Sequence, residues 1–316
     1  MEGKIALEEH WAIEETLGAS RGIAGSDDEW QKLHDALCDI HNMRLAEMDR
    51  NGIKMAILSL NSPAVQGILD VEEAIHTARK ANDLLAGEVA KAPGRFAAFT
   101  ALPMQDPDAA ITELKRCVQD LGFKGAMVNG FSQKDTPDQV IYYDLPAYRP
   151  FWAVVEALKV PFYLHSRTTI PSRALDYEGH PWLYAPAWDF AQQTGLHAVR
   201  LICSGLFEEF PGLKIILGHL GERIPYDTWR IDNLMGKAPG GHPTKRPPAD
   251  YLRENFYLTT SGQFDDAAFH CALRVMGAER ILFSVDYPFE FTQDATNWFD
   301  HTELDDEDRI RMGRTN

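Results

Sequence analysis

Eight short apolar runs divide the sequence, and most of them are nearly continuous in apolar residues. Such runs are typical of strands that are buried on both faces. Most of the stretches between them have the periodicity of helices, and alternation of strand and helix predicts a parallel sheet with right-handed crossovers. The predicted strands are Lys4–Leu7, Met55–Ser59, Phe96–Thr100, Gly125–Val128, Phe162–Leu164, Lys214–Leu217, Phe256–Thr259 and Ile281–Val285. The predicted helices are Asp39–Asn51, Val71–Lys91, Pro107–Leu121, Phe151–Leu158, Trp188–Phe207, Ile224–Leu234 and Ala267–Met276.

Eight strand–helix units in 316 residues predict a (β/α)8 barrel, with residues 1–316 as one domain. The alternative is a doubly wound open sheet, but no GxGxxG follows the first strand. We expect three irregular stretches, 18–28, 132–150 and 166–186, to be extended βα loops that cover the carboxyl-end face of the barrel. The last residues, 313–316, resemble the start of a final helix, as expected for a truncated chain.

The charge balance is strongly acidic, with 47 Asp and Glu against 31 Lys and Arg and a net charge of -16. Such a surface disfavours nucleic acid and anionic membranes as partners. No apolar run approaches the roughly 20 residues that a membrane helix needs. The four cysteines form no CxxC pair, and the first residues do not resemble a signal peptide, so we expect reduced thiols and a cytoplasmic protein.

Three of the predicted strands deliver residues of the kinds that bind metal ions. Glu8 and His10 lie two apart and share one face of the first strand, His165 follows the fifth strand, and Asp286 follows the last. Taken singly, each has an ordinary structural explanation, but in a closed barrel the first and last strands are neighbours and the four residues converge. Two imidazoles and two carboxylates suit one divalent ion such as Zn²⁺, Mn²⁺ or Mg²⁺. Glu9 should point outward, away from this set.

A second pair of candidate residues follows the sixth strand. His219 ends that strand between small residues, and Glu222 lies three residues on, in the expected first turn of a helix. A His–Glu pair of this kind can tune a general base or hold a water molecule. The alternative is that Glu222 only complements the helix N-terminus. Asp286 can bind metal, move protons, or do both.

Other residues are candidates for binding a substrate. Asn129 ends the fourth strand and can donate a hydrogen bond to a substrate oxygen, although a plain turn residue is an equal alternative. Arg230 and Arg167 are candidates for clamping a carboxylate, with surface ion pairs as the alternative. Phe289 is a candidate for the wall of an aromatic pocket.

The motifs around these residues resemble one family. Ala6–His10 resembles the Glu-x-His variant of the opening motif of the amidohydrolase superfamily. With the segments at the other strand ends, it looks like the metal-dependent, non-oxidative aromatic-acid decarboxylases, of the 2,6-dihydroxybenzoate (gamma-resorcylate) or 2,3-dihydroxybenzoate type. Those segments are Pro161–His165, Ile216–Glu222 and Arg280–Pro288, and Asn61–Gln66 and Val128–Gln133 add to the match with the resorcylate branch.

The resemblance implies a function and a set of roles. It assigns the metal ligands to Glu8, His10, His165 and Asp286, with His219 and Glu222 as catalytic residues and Asp286 as the proton donor to carbon. It implies reversible decarboxylation of an ortho-hydroxybenzoate that binds the metal through its carboxylate and hydroxyl, in a homodimer or homotetramer.

The sequence also departs from the family at two places. Ser166–Thr169 replaces a Pro-Arg-Asn-Pro type of stretch, and residues 18–26 lack a Phe expected in the pocket, which leaves the substrate's ring substituents open. The alternative function is a mononuclear metal-dependent hydrolase of an ester, lactone or amide on the same barrel. A two-metal hydrolase is disfavoured because no predicted strand ends in a suitable lysine.

Overall fold

The computed structural model describes residues 1–239, 241 and 244–316, and its central feature is a parallel barrel surrounded by helices. The predicted (β/α)8 fold is confirmed. The first three barrel strands form one parallel sheet and the other five form a second. In chain order the barrel strands are Lys4–Trp11, Ile53–Leu60, Phe96–Ala98, Ala126–Asn129, Phe162–His165, Ile215–Leu217, Phe256–Thr259 and Ile281–Leu282.

The edges of the two sheets meet at two places, called seams here, and these close the barrel. At one seam Thr100 pairs with Ala126, and at the other Glu9 pairs with Tyr287. At this second seam the amide of Asp286 donates to the carbonyl of Glu8 at 3.0 Å. Because the first and last strands are joined here, the metal-ligand candidates of both strands lie next to each other at the carboxyl end of the barrel.

Helices cover the outside of the barrel, and several begin at a side chain that caps their first turn. Asp70, Asp106 and Asp265 each accept hydrogen bonds from backbone amides of the helix that follows, a contact that stabilises a helix N-terminus. The α-helices are Glu14–Leu17, Asp27–Cys38, Met43–Arg50, Val71–Lys91, Pro107–Gln119, Arg149–Leu158, Pro171–Ala174, Asp189–Cys203, Leu206–Glu209, Ile224–Met235, Pro248–Asn255, Asp266–Met276, Thr292–His301 and Asp306–Ile310. A left-handed turn covers His219–Glu222. Short 3-10 helices cover Gly18–Ile23, Ala64–Gly67, Pro146–Tyr148, Leu175–Tyr177, Pro181–Leu183 and Ala278–Arg280, and a π-helical turn covers Arg311–Thr315.

All three stretches predicted as irregular contain regular structure, and residues 166–186 include three short helical turns. The stretch after the fourth barrel strand forms an antiparallel hairpin of Ser132–Lys134 and Thr136–Ile141. The stretch after the first strand leads into the helix Asp27–Cys38, whose N-terminus is capped by Ser26. The Gly- and Asp-rich composition of this stretch obscured that helix, although the spacing of Ser26 and Glu29 is a capping-box signal.

The first barrel strand contains a β-bulge immediately before the candidate site. Ala6 lies opposite Ala56 and Glu9 lies opposite Leu58, so the first strand takes one more residue than its neighbour between these pairs. A bulge changes the direction in which the next side chains point. Leu7 packs against the apolar cluster inside the barrel, and Glu8 also lies on the interior side, whereas Glu9 faces the helix layer and is only 4% exposed.

An apolar layer fills the barrel interior below the candidate site. It consists of inward-facing side chains that include Ile57, Phe99, Met127, Tyr163 and Ile216. The main core lies between the barrel wall and the helices. The site therefore rests on a floor that excludes water from below. Among the described residues, no helix is both long and apolar enough to cross a membrane.

Candidate metal centre and active site

Four residues predicted as metal ligands lie together at the carboxyl end of the barrel. One ligand atom from each of Glu8, His10, His165 and Asp286 lies within 4.8 Å of the others. His10 Nε2 is 3.1 Å from Asp286 Oδ1, and His165 Nε2 is 3.0 Å from Glu8 Oε1. Ligand atoms that share one ion at about 2.1 Å lie at separations of about 3–4 Å.

The hydrogen bonding of these residues tests whether they fit a metal ion. Glu8 Oε1, His10 Nε2 and Asp286 Oδ1 are buried and make no hydrogen bond to the described part of the chain. Buried polar atoms without a partner are costly and uncommon in proteins. Because all three converge on one point with His165 Nε2, the donor set fits one divalent ion.

The second carboxylate oxygen of Glu8 is held by hydroxyl groups. Tyr163 and Ser261 donate to Oε2, and Thr259 Oγ1 donates to it at 3.2 Å. Burial raises the pKa of Glu8, but the neighbouring His219 and His165 outweigh it and lower that pKa overall. Glu8 is therefore an ionised carboxylate with one oxygen held and one oriented toward the other ligands. Sequence reasoning missed these hydroxyl residues, although all three lie at or just beyond barrel strands.

Asn129 lies behind His165 and does not line the cavity. Its side-chain Oδ1 is 2.7 Å from His165 Nδ1, and its side-chain Nδ2 donates to the carbonyl of Asn61 at 3.0 Å. Its backbone amide donates to Gln66 Oε1 at 3.1 Å. These contacts engage both ends of the side-chain amide. The structure thus brings Asn129 to a metal-ligand candidate, where it fixes the orientation of the imidazole.

His219 connects Glu222 to Asp286. His219 Nδ1 lies 2.8 Å from Glu222 Oε1, and His219 Nε2 lies 3.5 Å from Asp286 Oδ2. Leu220 and Gly221, between His219 and Glu222, have φ values of 53° and 85°. Glu222 therefore lies in a left-handed turn, and not in the first turn of an ordinary helix. Left-handed backbone is unfavourable for L-residues, and such conformations concentrate at functional sites.

The charges of this trio follow from their surroundings. Burial lowers the pKa of His219, but the carboxylates of Glu222 and Glu8 outweigh it and raise that pKa well above its usual value. Burial raises the pKa of Asp286, but the neighbouring imidazoles of His10 and His219 outweigh it and lower that pKa overall. The two shifts favour the imidazolium form of His219 and the carboxylate form of Asp286.

A cavity of about 540 Å³ opens above the metal-ligand candidates. Its floor includes His165, His219 and Asp286, and apolar side chains from the covering loops form part of its wall. Phe289 lines it and packs edge-on against the ring of His10, with ring centroids 5.5 Å apart. The other lining residues are Ile23, Ser62, Ser166, Pro186, Ala187, Phe190, Ala191, Glu222, Arg223, Gly262, Gln263 and Glu290. The cavity is large enough for one substituted aromatic ring.

The arginines are placed differently from the sequence-based interpretation. Arg230 is exposed on the helix Ile224–Met235 and does not line this cavity. Arg167 is buried and donates to the carbonyls of Gln66 and Phe131. Arg223, which sequence reasoning did not single out, is the one Arg or Lys among the described lining residues.

Two glycines leave room for the site. A Cβ atom on Gly218 would lie 2.8 Å from Glu8 Oε2. Gly262 has a φ of +60°, and a Cβ there would lie 3.0 Å from His219 Cδ2. Only glycine permits this close approach of the backbone to the carboxylate of Glu8 and to the imidazole of His219.

Comparisons with known proteins identify the family of the chain. A model of the Amidohydrolase family matches residues 27–316. Gamma-resorcylate decarboxylase of Rhizobium sp. (strain MTP-10005) is 55% identical, with 100% of this chain and 97% of the relative covered. The relative of the same name from Rhodococcus jostii (strain RHA1) is 54% identical, with 100% and 97% covered.

Solved structures give the same result. A 2,6-dihydroxybenzoate decarboxylase complexed with 2,6-dihydroxybenzoate superposes with a TM-score of 0.97 at 55% identity, covering 100% of this chain and 98% of that one. A dihydroxybenzoic acid decarboxylase from Polaromonas sp. JS666, with bound manganese and the inhibitor 2-nitroresorcinol, has a TM-score of 0.96 at 53% identity, covering 99% and 95%. The chain therefore belongs to the amidohydrolase family, among the gamma-resorcylate decarboxylases.

Proposed function

We propose that this chain is a metal-dependent, non-oxidative decarboxylase that converts 2,6-dihydroxybenzoate (gamma-resorcylate) into resorcinol and carbon dioxide. The observation that carries the proposal is the convergence of four metal-ligand side chains with His219 on the floor of a cavity that fits one aromatic ring. The names and ligands of relatives with 53% to 55% identity support the choice of substrate.

Glu8, His10, His165 and Asp286 would hold one divalent ion, with Mn²⁺, Zn²⁺ and Mg²⁺ as candidates. When bound, the ion supplies a positive charge that attracts the carboxylate and the ortho-hydroxyl oxygen of the substrate. The side chains of Ile23, Phe190 and Phe289 enclose the ring and exclude water from it.

Asp286 is the residue that we assign to proton transfer at carbon. As a carboxylate, it accepts the proton of the substrate's ortho-hydroxyl, which is attached to the ring carbon next to the one that bears the carboxylate. It then gives this proton to that carbon, and the electrons of the new C–H bond come from the ring. The bond from this carbon to the carboxylate breaks, its electron pair restores the aromatic ring, and carbon dioxide leaves.

His219 completes the proton balance. Its imidazolium, stabilised by Glu222 at 2.8 Å, gives a proton to the phenolate oxygen of the product and recovers a proton from solvent. The net reaction consumes one proton for each carboxylate lost. The same groups run in reverse when bicarbonate is abundant.

The test compares three substrates with and without chelator. Metal-loaded protein is incubated with 2,6-dihydroxybenzoate, 2,3-dihydroxybenzoate and an aryl ester, and carbon dioxide, phenolic product and free acid are measured. We expect carbon dioxide from 2,6-dihydroxybenzoate at a higher rate than from the 2,3-isomer, and no ester cleavage. Cleavage of the ester without carbon dioxide from either acid would overturn the proposal in favour of a hydrolase.

We also propose that the enzyme is a cytoplasmic homodimer or homotetramer. Tyr226 and Trp229 lie three residues apart on one helix and are 81% and 73% exposed, and Trp182 is 66% exposed. Exposed aromatic groups of this size are typical of protein interfaces. The four cysteines are unpaired, which is in keeping with the cytoplasm. Light scattering should give two or four chains, and Trp229→Lys should reduce that number.

A further inference from the structure

The closing seam of the barrel lacks regular pairing where the metal-ligand candidates emerge. The last barrel strand ends at Leu282, four residues before Asp286, and Asp286 has a φ of 80°. A non-glycine residue in this left-handed region keeps its conformation only when its surroundings hold it. Two backbone hydrogen bonds hold the seam. The amide of Asp286 donates to the carbonyl of Glu8, and the amide of His10 donates to the carbonyl of Tyr287.

Glu9 braces this seam from the first strand. Its Oε1 accepts a hydrogen bond from the amide of Val285 at 3.0 Å and from Ser284 Oγ at 3.2 Å. Ser284 Oγ in turn accepts a hydrogen bond from the amide of Glu8 at 2.6 Å. One carboxyl group therefore ties the strand that carries Glu8 and His10 to the segment that carries Asp286.

Arg44 braces the same seam from the helix Met43–Arg50. Its guanidinium is 2% exposed, donates to the carbonyl of His10, and lies 4.4 Å from the centre of the Tyr287 ring. It thus contacts His10 directly and Asp286 through the next residue along the chain. A buried guanidinium that makes a hydrogen bond and a cation–π contact fixes both partners in one geometry.

We propose that Arg44 and Glu9 are positioning residues that set the separation of His10 and Asp286 across the seam and thereby the affinity of the site for its divalent ion. Neither residue lines the cavity, so neither touches substrate. The inference rests on the metal site of the proposed function and extends it to residues on the opposite side of the barrel wall. Partners behind metal ligands commonly contribute about 10- to 100-fold in metal affinity.

The test measures Mn²⁺ affinity of the purified, metal-stripped chain by competition with a chromogenic chelator. Arg44→Met keeps the aliphatic length and removes the donors, Glu9→Met removes the acceptor, and Arg44→Lys keeps the charge. We expect the two Met variants to bind Mn²⁺ about 10- to 100-fold more weakly than the parent chain, and Arg44→Lys to recover part of the loss. The EPR spectrum of bound Mn²⁺ should broaden in the Met variants, since the ligand geometry becomes less uniform.

Arg309→Met is the matched control. Arg309 also donates to backbone carbonyls, of Phe299 and Thr302, and lies 6.0 Å from the centre of the Phe299 ring, outside the metal-ligand set. It should lower thermal stability without changing Mn²⁺ affinity. Folded Met variants that bind Mn²⁺ as tightly as the parent chain would overturn the inference, and if Arg44→Met does not fold, Glu9→Met and Arg44→Lys decide it. A parent chain that binds Mn²⁺ but releases no carbon dioxide would instead count against the proposed function alone.

Discussion

Asn129 Oδ1 lies 2.7 Å from His165 Nδ1, on the side of the imidazole that faces away from the metal-ligand cluster. An amide oxygen can only accept a hydrogen bond, so Nδ1 of His165 is the donor in this contact and Nε2 is the ring nitrogen left for an ion. Asn129, a candidate from sequence for binding substrate, thus orients a metal-ligand candidate instead.

Removal of this acceptor should weaken metal binding. Asn129→Leu leaves His165 free to rotate and to change tautomer, so we expect Mn²⁺ affinity to fall by about 10- to 100-fold. Asn129→Asp preserves an acceptor and should retain affinity close to that of the parent chain. Chelator competition measures both, and equal affinity for Asn129→Leu and Asn129→Asp would contradict the assigned role.

Tyr163 should stabilise the chain through Glu8. Tyr163→Phe removes one of the three hydroxyl donors on Glu8 Oε2, and loss of a hydrogen bond to a buried charged group costs about 1–3 kcal/mol. Urea denaturation of the metal-free chain measures the loss. Tyr148→Phe, which removes a hydroxyl bonded to the carbonyl of Met104, is the control, and only Tyr163→Phe should also weaken Mn²⁺ binding. Unchanged stability and metal affinity in Tyr163→Phe would show that Glu8 does not depend on this contact.

His197 should make the chain less stable in acid. It is fully buried, its Nε2 accepts the amide of Tyr143 at 3.1 Å, and burial, with help from Arg200, lowers its pKa to about 3. The unfolded chain takes up the proton near pH 6.5 and the folded chain does not. This contribution to stability is therefore complete above about pH 6.5 and is lost as the pH falls toward 3, at no more than about 1.4 kcal/mol per pH unit.

The measurement is the free energy of unfolding at several pH values for His197→Asn and the parent chain. The variant should lose less stability than the parent between pH 6.5 and pH 4, because its side chain does not titrate. His301→Asn, a change at an exposed histidine, should keep the parent slope. Identical slopes for His197→Asn and the parent would refute the prediction.

His219 should affect turnover more than metal content. His219 is not one of the proposed metal ligands. General acid–base residues contribute about 10²- to 10⁴-fold to the rate of the reaction they catalyse. His219→Asn should therefore lower kcat by this factor with metal content near that of the parent. Glu222→Gln keeps a hydrogen bond to His219 but removes the charge that raises its pKa, so its loss should be smaller. Elemental analysis beside kcat is the check, and a loss of activity that follows loss of metal would contradict the role.

The sequence was sufficient to predict the barrel because each strand is a short apolar run followed by a helix. The predicted helix Val71–Lys91 has the observed bounds, since Asp70 caps it and its apolar face is regular. The site residues could be proposed for a related reason: the carboxyl ends of parallel strands meet at one rim.

Other features depend on contacts that no local pattern reports. The bulge between Ala6 and Glu9 lies where the first strand pairs with Ile53–Leu60 on one side and with an irregular segment on the other. The contact of Arg44 with His10 joins residues 34 positions apart. The left-handed turn at Leu220 contradicts the ordinary preference of leucine, so propensity alone predicts a helix there.

The most direct test of the account follows the carboxyl carbon of the substrate. The chain is stripped of metal, divided, and one half is restored with Mn²⁺, and both halves receive 2,6-dihydroxybenzoate labelled with ¹³C in the carboxyl group. We predict that the Mn²⁺-restored chain releases labelled carbon dioxide and resorcinol in equal amounts and that the stripped chain releases neither. Equal rates with and without metal, or no labelled carbon dioxide from the restored chain, would contradict the account.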